Sequence, residues 1–347
     1  MIARRFEPGP LAAVLPNRSQ TLLLQSCLLP GDAARASWEE WLRKTSRTKA
    51  ALQDVKTGFR RLLALLGYRL RQNRIEVDPE VRVYLRAARV REQLRSEGVR
   101  ELCRRTLGAL AAADAPAIVL RGVMAAETLY PDPALRHCHD LDLMIGLEYM
   151  DAAALALEAA GFSRQTARVW RHSSGFPVSI QHTLFRVAAL NEGLPDPAAE
   201  AMAGTIAGVP AKLLCPAVNL LHFCAHAATT GSHVSPNWAA DACFLLERHP
   251  EIPWQKVLEW SSRGALALPL TVTLGYLSSE LKANIPRFVL DALEDNASRQ
   301  PWRAAWFAAL RSAEGRPLAL LRASRGIDRC RAFFYLARRA TRLLEIP

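Results

Sequence analysis

The feature that most constrains the fold is a change in hydrophobic period near residue 115. Up to about residue 110 the apolar residues recur at helical spacing, as in Leu62–Leu66 and in the basic amphipathic stretch 81–94. Ala117–Leu120 is then an unbroken apolar run, and it follows the turn-forming sequence Asp114-Ala115-Pro116. A short apolar run bounded by turn residues is typical of a buried strand. The sequence therefore predicts that helices give way to a sheet at this point.

The segment after this strand alternates between helix and strand patterns. Val123–Tyr130 is helical in composition and is followed by two prolines, which disfavour helix. Asp140–Ile145 predicts a second strand, because polar and apolar residues alternate at its start. Asp151–Ala160 predicts another helix, closed by a glycine. Two further strands, which we expect to form a hairpin, are predicted at 166–172 and 177–185.

Helical patterns return from Pro216 to the end of the chain. We therefore expect an α+β fold in which a small mixed sheet is flanked by two helical regions. The predicted divisions are an N-terminal helical region at 1–110, an α/β core at 111–200, and a C-terminal helical region with a basic tail at 201–347.

The composition fits a packed cytoplasmic protein. Half of the residues are hydrophobic and 22% are charged, which excludes a largely disordered chain. No apolar run reaches the roughly 18 to 20 residues that a membrane span needs. The N-terminus lacks the apolar stretch of a signal peptide, so we expect the cytoplasm and no transmembrane segment.

The net charge of +12 is concentrated at the C-terminus. Residues 298–347 hold eleven arginines against three acidic residues, which accounts for eight of the twelve positive charges. The arginines alternate with apolar residues and predict a basic amphipathic surface for an anionic partner or membrane face. A solvated helix face explains the same pattern, and no motif for reading nucleic acid is present. The arginines concerned are Arg322, Arg325, Arg329, Arg338, Arg339 and Arg342.

Two aspartates on the second predicted strand carry the chemistry. Asp140 and Asp142 are two positions apart, so their side chains project from the same face of a strand and can hold one or two Mg²⁺ ions. Carboxylate-bound Mg²⁺ suits phosphoryl or nucleotidyl transfer. Asp78 belongs to a look-alike acidic pair without that context, because only Asp140 and Asp142 follow a strand, a glycine-containing turn and a helix. The alternative is a solvated strand end.

Four segments carry a family resemblance: 120–125 (Leu-Arg-Gly-Val-Met-Ala), 129–133 (Leu-Tyr-Pro-Asp-Pro), Arg136, and 140–144 (Asp-Leu-Asp-Leu-Met). In these segments the chain is similar to the uncharacterised nucleotidyltransferase family of the DNA polymerase β-like nucleotidyltransferase superfamily. The resemblance extends more loosely to 180–182, His222, His226 and 238–241.

The resemblance implies a small mixed sheet, two metal-binding carboxylates on one strand and often a third on a neighbouring strand. It implies transfer of a nucleoside monophosphate from an NTP, with Mg²⁺ as cofactor, to an unknown acceptor that is a small molecule, a peptide or a protein. Members of this family are found beside genes for polysaccharide export and for ribosomally made peptides, which suggests a role in such a biosynthetic cluster.

The resemblance also assigns roles to individual residues. Asp140 and Asp142 are the expected metal ligands and catalytic residues. The expected nucleotide-binding residues are Arg121 and Gly122 at the phosphates, Arg136 at the triphosphate, His139 beside it, and His182.

Two departures from the superfamily pattern bear on activity. The Gly-Ser or Gly-Gly turn of the superfamily is Gly122-Val123 here, without a hydroxyl for the phosphates. The position of the third carboxylate falls in 178–182, which has no Asp or Glu. Either His182 or Gln181 replaces it, or the site holds one metal, or activity is weak. A catalytically degenerate protein that binds a nucleotide or a partner is therefore the alternative function.

The remaining candidates are expected to be structural. His222 and His226 lie one helical turn apart, a spacing that suits Zn²⁺, but packing or substrate contact is favoured because no third ligand is in register. Asp241 is expected to cap a helix or to pair with a histidine. Trp302, Trp306 and Phe307 are expected to be core or interface aromatics.

Overall fold

The computed structural model describes residues 14–45, 48–53, 58–173, 175–186, 190–229, 235–263 and 266–299. The N-terminal part is helical, as the sequence predicts. Its helices are α1 (Arg18–Leu28), α2 (Gly31–Arg43), α3 (Thr48–Gln53), α4 (Leu63–Gln72) and α5 (Pro79–Ala112), with a 3₁₀ turn at Phe59–Arg61. The helix predicted at 81–94 is thus one part of the longer α5.

Local capping explains where two of these helices begin. Asn17 and Gln20 form a reciprocal capping box at the start of α1. Asp78 accepts hydrogen bonds from the backbone N–H groups of Glu80 and Val81, and Pro79 occupies the first helical position of α5. The acidic pair that contains Asp78 therefore has a structural role at a helix start.

The sheet is mixed and has seven strands. They are β1 (Ala117–Leu120), β2 (Leu141–Ile145), β3 (Ser163–Arg164), β4 (Val169–Arg171), β5 (Pro177–Gln181), β6 (Ala201–Ile206) and β7 (Val209–Leu214). Their order across the sheet is β3-β4-β5-β2-β1-β7-β6. β2 lies at the centre, antiparallel to β1 and parallel to β5. The α+β fold class with a mixed sheet and flanking helices is confirmed.

The sheet extends beyond the predicted core. The hairpin of β6 and β7 adds to the sheet through parallel pairing of β7 with β1. The predicted boundary at residue 200 therefore cuts through the sheet, which continues to Leu214. The hairpin lies at the sheet edge and is largely half-exposed, so its sequence lacks the continuous apolar run that marks β1.

Helices complete the described chain. Two short ones lie within the sheet region, α6 (Arg121–Thr128) and α7 (Met150–Ala159). After the sheet come α8 (Pro216–Thr229), α9 (Asn237–Arg248), α10 (Trp254–Arg263), α11 (Ala267–Leu281) and α12 (Arg287–Ser298). One buried apolar cluster extends from Val14 to Ala297 and joins both helical parts to the sheet.

Within the described residues, none of the helices is both long and apolar enough to cross a membrane. The predicted basic surface and the three aromatics from Trp302 to Phe307 lie outside the described residues, so both remain predictions.

Candidate active site

The two predicted catalytic aspartates lie at the start of the central strand. Asp142 is the second residue of β2 and pairs in register with Leu120, the last residue of β1. Asp140 directly precedes β2. Both line one cavity of about 280 Å³, and Arg121, Gly122, Arg136 and His139 line the same cavity. The fold thus brings six of the seven predicted site residues together.

The two carboxylates differ in environment. The Asp142 side chain is 8% exposed and that of Asp140 is 30% exposed. Arg121 Nη2 lies 2.7 Å from Asp142 Oδ2, and Arg186 Nη2 lies 3.4 Å from Asp142 Oδ1. Burial raises the pKa of Asp142, although the charge of Arg121 opposes this shift. Asp142 is therefore a buried carboxylate held by one close guanidinium and one looser guanidinium.

Arg121 is placed by an unusual backbone conformation. Its φ is +49°, in the left-handed region that non-glycine residues rarely adopt, and it is the first residue of α6. Its side chain bridges two elements, because Nη1 also lies 2.7 Å from the imidazole of His226 on α8. A strained backbone of this kind persists only where the surroundings fix it, and such residues concentrate at functional sites.

Gly122 has a steric role beside Arg136. A Cβ atom at this position would lie 3.2 Å from Arg136 Nη1 and 3.6 Å from Cys138 Sγ. Glycine thus allows the guanidinium to pass close to the first turn of α6. The N-terminal amides of α6 also lie at this end, where backbone donors and the helix dipole favour an anion.

Arg136 forms a bidentate ion pair with Asp241 of α9. Arg136 Nε donates to Asp241 Oδ1 at 3.1 Å and Nη2 donates to Oδ2 at 2.7 Å. The hydroxyl of Tyr130 donates to Asp241 Oδ1 at 2.8 Å, and burial raises the pKa of that hydroxyl. Asp241 thus pairs with an arginine and a tyrosine, where the sequence predicted a cap or a histidine partner. The pair ties the loop before β2 to the C-terminal helices.

His139 lies beside the more exposed aspartate. Its Nε2 atom is 3.8 Å from Asp140 Oδ2, and half of its side chain is exposed. Burial of the ring lowers the pKa of His139; the charge of Asp140 opposes this shift, and nearby positive groups add to it. The imidazole is therefore neutral at neutral pH and can donate or accept a hydrogen bond at the mouth of the cavity.

The comparison with known protein families identifies the family of this chain. A family model described as "Uncharacterised nucleotidyltransferase" matches residues 58–280, which is more than half of the chain and includes every residue of the cavity. The chain belongs to this family. Membership assigns generic nucleotidyl transfer to the protein and makes it a transferase. No curated protein and no solved structure matches the chain.

The residue opposite Asp142 on the neighbouring strand is a serine. Ser179 of β5 pairs in register with Asp142. The Gln181 amide donates to the carbonyl groups of Thr183 and Leu184, and His182 is exposed and does not line the cavity. The structure thus brings neither candidate replacement to the aspartates. Within the described residues, no group of three or more His, Cys, Asp or Glu side chains is placed to hold a metal ion.

The two remaining carboxylates still fit a Mg²⁺ ion that also binds substrate phosphates. Mg²⁺ is commonly held by one or two carboxylates together with phosphate oxygens and water, so a third protein carboxylate is not required. Asp140 offers a partly exposed carboxylate to the cavity, and Asp142 has one oxygen whose guanidinium contact is 3.4 Å long. The donor set therefore suits one ion better than two.

His222 and His226 fit packing better than zinc binding. His222 is buried and His226 is half-buried, and desolvation lowers the pKa of each well below the usual value, with a further contribution from Arg121. His222 packs edge-on against Phe185, with ring centroids 5.4 Å apart. His226 lines the cavity and contacts Arg121. The structure thus places one histidine in the core and one at the site.

The sequence did not indicate several residues of the cavity. Arg61 comes from the 3₁₀ turn before α4, and Arg186 follows β5. Ser235, Asn237 and Trp238, at the start of α9, contribute buried polar atoms that have no hydrogen-bond partner among the described residues. Only Trp238 carried a signal, through the family resemblance. The others are recognisable only once distant segments are brought together.

Proposed function

We propose that this protein is a Mg²⁺-dependent nucleotidyltransferase that moves a nucleoside monophosphate from an NTP to an acceptor in the Asp140–Asp142 cavity. The main support is that both aspartates lie at one strand end, in a cavity beside Gly122, in a chain of this family. The reaction forms a bond between the acceptor and the α-phosphorus. It breaks the bond from that phosphorus to the bridging oxygen, so pyrophosphate leaves.

Asp140 and Asp142 are the residues that would hold Mg²⁺. When bound there, the ion neutralises the triphosphate and stabilises the charge that develops on the departing pyrophosphate. The protein's own part is to present two carboxylates of unequal exposure, one in the cavity mouth and one fixed by Arg121. In this proposal Arg186 exchanges its 3.4 Å contact with Asp142 for a contact with a substrate phosphate.

The cations of the cavity position the phosphates in this proposal. Arg121 lies at the start of α6, where the helix amides also favour an anion, and Gly122 allows close approach. Arg136 lines the cavity, but Asp241 holds its guanidinium in two hydrogen bonds. We therefore propose that Arg136 mainly holds the loop before β2 in place and is not a main phosphate ligand. His139, neutral beside Asp140, is suited to a hydrogen bond with a phosphate or with the acceptor.

The acceptor in this proposal is a small molecule, a peptide or a protein made in a polysaccharide or modified-peptide pathway. In this proposal the protein acts in the cytoplasm, and its basic C-terminal residues form a surface that binds an anionic partner. These parts of the proposal rest on the sequence and on the family resemblance.

A second candidate is a protein that binds a nucleotide or a partner without catalysis. Two observations favour it. Ser179 occupies the register position opposite Asp142 where a carboxylate is expected, and Arg121 and Arg186 both contact Asp142. Turnover separates the two candidates, because a nucleotide-binding protein without catalysis would bind NTP as the enzyme does but release no pyrophosphate.

The deciding experiment incubates the full chain with each labelled NTP and Mg²⁺, with and without cell extract, and follows pyrophosphate release. The nucleotidyltransferase releases pyrophosphate with at least one NTP, and the Asp140→Asn variant does not. Asp78→Asn is the matched control, because Asn caps a helix as well as Asp does and Asp78 lies outside the cavity. Metal-dependent nucleotide binding without turnover in any extract would establish the non-catalytic candidate.

A further inference from the structure

We propose that Arg61, from the N-terminal helical part, binds the polyphosphate chain of the nucleotide substrate. This inference rests on the proposed function and adds a residue to its site. Arg61 precedes the α/β core by more than fifty residues, and no sequence motif marks it. It nevertheless lines the same cavity as Asp140 and Asp142.

The position of Arg61 is fixed by its neighbours in the chain. It ends the 3₁₀ turn Phe59–Arg61, which leads into α4. Phe59 is buried and makes an edge contact with Trp41, with ring centroids 6.2 Å apart, and Leu62 is also buried. Because the residues on both sides are anchored in the core, the backbone holds Arg61 at the cavity. An arginine on a surface segment that is not packed against the core would have no single defined position.

The charge of Arg61 differs from that of the other cavity arginines, because no carboxylate partner for it lies among the described residues. Arg121 pairs with Asp142, and Arg136 pairs with Asp241. Among the described residues, no ion pair within 4.0 Å joins Arg61 to a carboxylate. Burial and the like charge of Arg136 lower the pKa of Arg61, and the charge of Asp140 opposes this shift. The guanidinium of Arg61 is thus partly buried beside a like charge, and the described part of the chain offers it no close counter-ion.

An anionic ligand in the cavity would supply the missing counter-ion. A guanidinium presents its donors in a planar fork that matches phosphate oxygens, so Arg is well suited to polyphosphate. Arg61 lines one cavity with Asp140 and Asp142, the aspartates proposed to act on the triphosphate. The family match begins at residue 58, so it includes the turn that carries Arg61.

The neighbouring arginine provides a matched control. Arg60 belongs to the same 3₁₀ turn, carries the same charge and is exposed, and it does not line the cavity. Arg61→Ala and Arg60→Ala therefore remove the same side chain from the same turn at two different places. Binding of inorganic tripolyphosphate, and of each of the four NTPs with Mg²⁺, is measured by calorimetry on the full chain, and thermal unfolding is measured in parallel.

We expect Arg61→Ala to weaken binding of tripolyphosphate and of all four NTPs by a similar factor, on the order of 10- to 100-fold. Arg60→Ala should change each dissociation constant less than about twofold, because an exposed charge outside the cavity is screened by solvent. Arg61→Lys should give an intermediate loss, since it keeps the charge but not the fork.

Three results would overturn the inference. If wild type binds tripolyphosphate and NTPs but Arg61→Ala binds them equally well, Arg61 is not a phosphate ligand, while the proposed function stands. If Arg61→Ala weakens binding only as much as Arg60→Ala does, the effect is general electrostatics. If wild type binds neither tripolyphosphate nor any NTP with Mg²⁺, both the inference and the proposed function fail.

Discussion

Two carboxylates of the cavity are largely buried, and their partners differ. Asp241 on α9 receives two hydrogen bonds from Arg136 and one from Tyr130, all 3.1 Å or shorter. Asp142 on β2 has one close guanidinium at 2.7 Å and one at 3.4 Å. Both carboxylate oxygens of Asp241 accept short hydrogen bonds, which suits a structural ion pair. Asp142 keeps one loosely held oxygen, which suits a group that exchanges partners when substrate binds.

The difference also bears on the cost of each charge. Removal of one partner of a buried ion pair strongly destabilises the fold, because the other charge stays buried without compensation. This applies to both arginine–aspartate pairs. Asp140 is more exposed and lacks such a short ion pair in the described structure, so its substitution separates chemistry from stability more cleanly than substitution of Asp142 does.

The largest expected effect is on turnover at the aspartate pair. We expect Asp140→Asn and Asp142→Asn each to lower pyrophosphate release by roughly three orders of magnitude or more, because a carboxylate that holds Mg²⁺ supports several kcal/mol of charge stabilisation. Asp142→Asn should also lower the free energy of unfolding by roughly 1–3 kcal/mol, because it leaves Arg121 without its charged partner. Asp140→Asn should leave stability nearly unchanged. Wild-type turnover in both variants would show that the reaction takes place elsewhere.

The second prediction tests the structural pair. We expect Asp241→Asn to lower the free energy of unfolding by roughly 3 kcal/mol, because Arg136 would remain buried without a counter-charge. Urea unfolding monitored by circular dichroism measures this loss. The double variant Arg136→Met with Asp241→Leu should be less destabilised than Asp241→Asn, since it removes both charges. A single variant as stable as wild type would mean that the pair does not hold α9 to the core.

The sequence predicted the elements that carry strong local signals. β1 is an unbroken apolar run, and the alternating Asp140–Leu143 pattern marks the start of β2, so the sequence predicts both strands together with the helices between and after them. The β6–β7 hairpin was missed because edge strands are half-exposed and carry a weak pattern. Its pairing with β1 joins segments far apart in the chain, which local periodicity does not reveal.

The residues of the candidate site also fall into those that a local sequence pattern predicts and those that only the tertiary structure reveals. One strand–helix–strand unit of the sequence contains or adjoins four residues of the cavity, so a local sequence motif can predict them together: Arg121, Gly122, Asp140 and Asp142. Arg61 and Arg186 reach the cavity only through tertiary packing. His182 falls within the strand predicted at 177–185, but β5 ends at Gln181. Ser179 takes the register position opposite Asp142, which a count along the sequence could not fix. Strand register is what decides which residue faces Asp142.

A third prediction sharpens the role of Gly122. We expect Gly122→Ala to weaken Mg²⁺–NTP binding by about three- to tenfold, because the new methyl group would displace the Arg136 guanidinium that lies 3.2 Å away. The control is Gly108→Ala, where no atom lies within 4 Å of the new Cβ and the residue is inside α5. That change should leave binding unchanged and raise stability by about 0.5–1 kcal/mol. Equal binding in both variants would remove the steric account of this glycine.

The smallest expected effect concerns pH and the buried histidine of α8. Burial holds the pKa of His222 well below 6.5 in the folded protein, so below pH 6.5 the unfolded chain takes up a proton that the folded chain does not. The stability that depends on neutral His222 is thus present above pH 6.5 and is lost as pH falls. From pH 6.5 to 5.5 one such histidine lowers the free energy of unfolding by roughly 1 kcal/mol. His222→Phe, which keeps an aromatic ring against Phe185, should make the pH dependence shallower by that amount in urea titrations. If stability falls equally steeply with pH in wild type and variant, His222 takes up its proton as readily in the folded protein as in the unfolded chain. The assignment of this histidine to the neutral core would then be wrong.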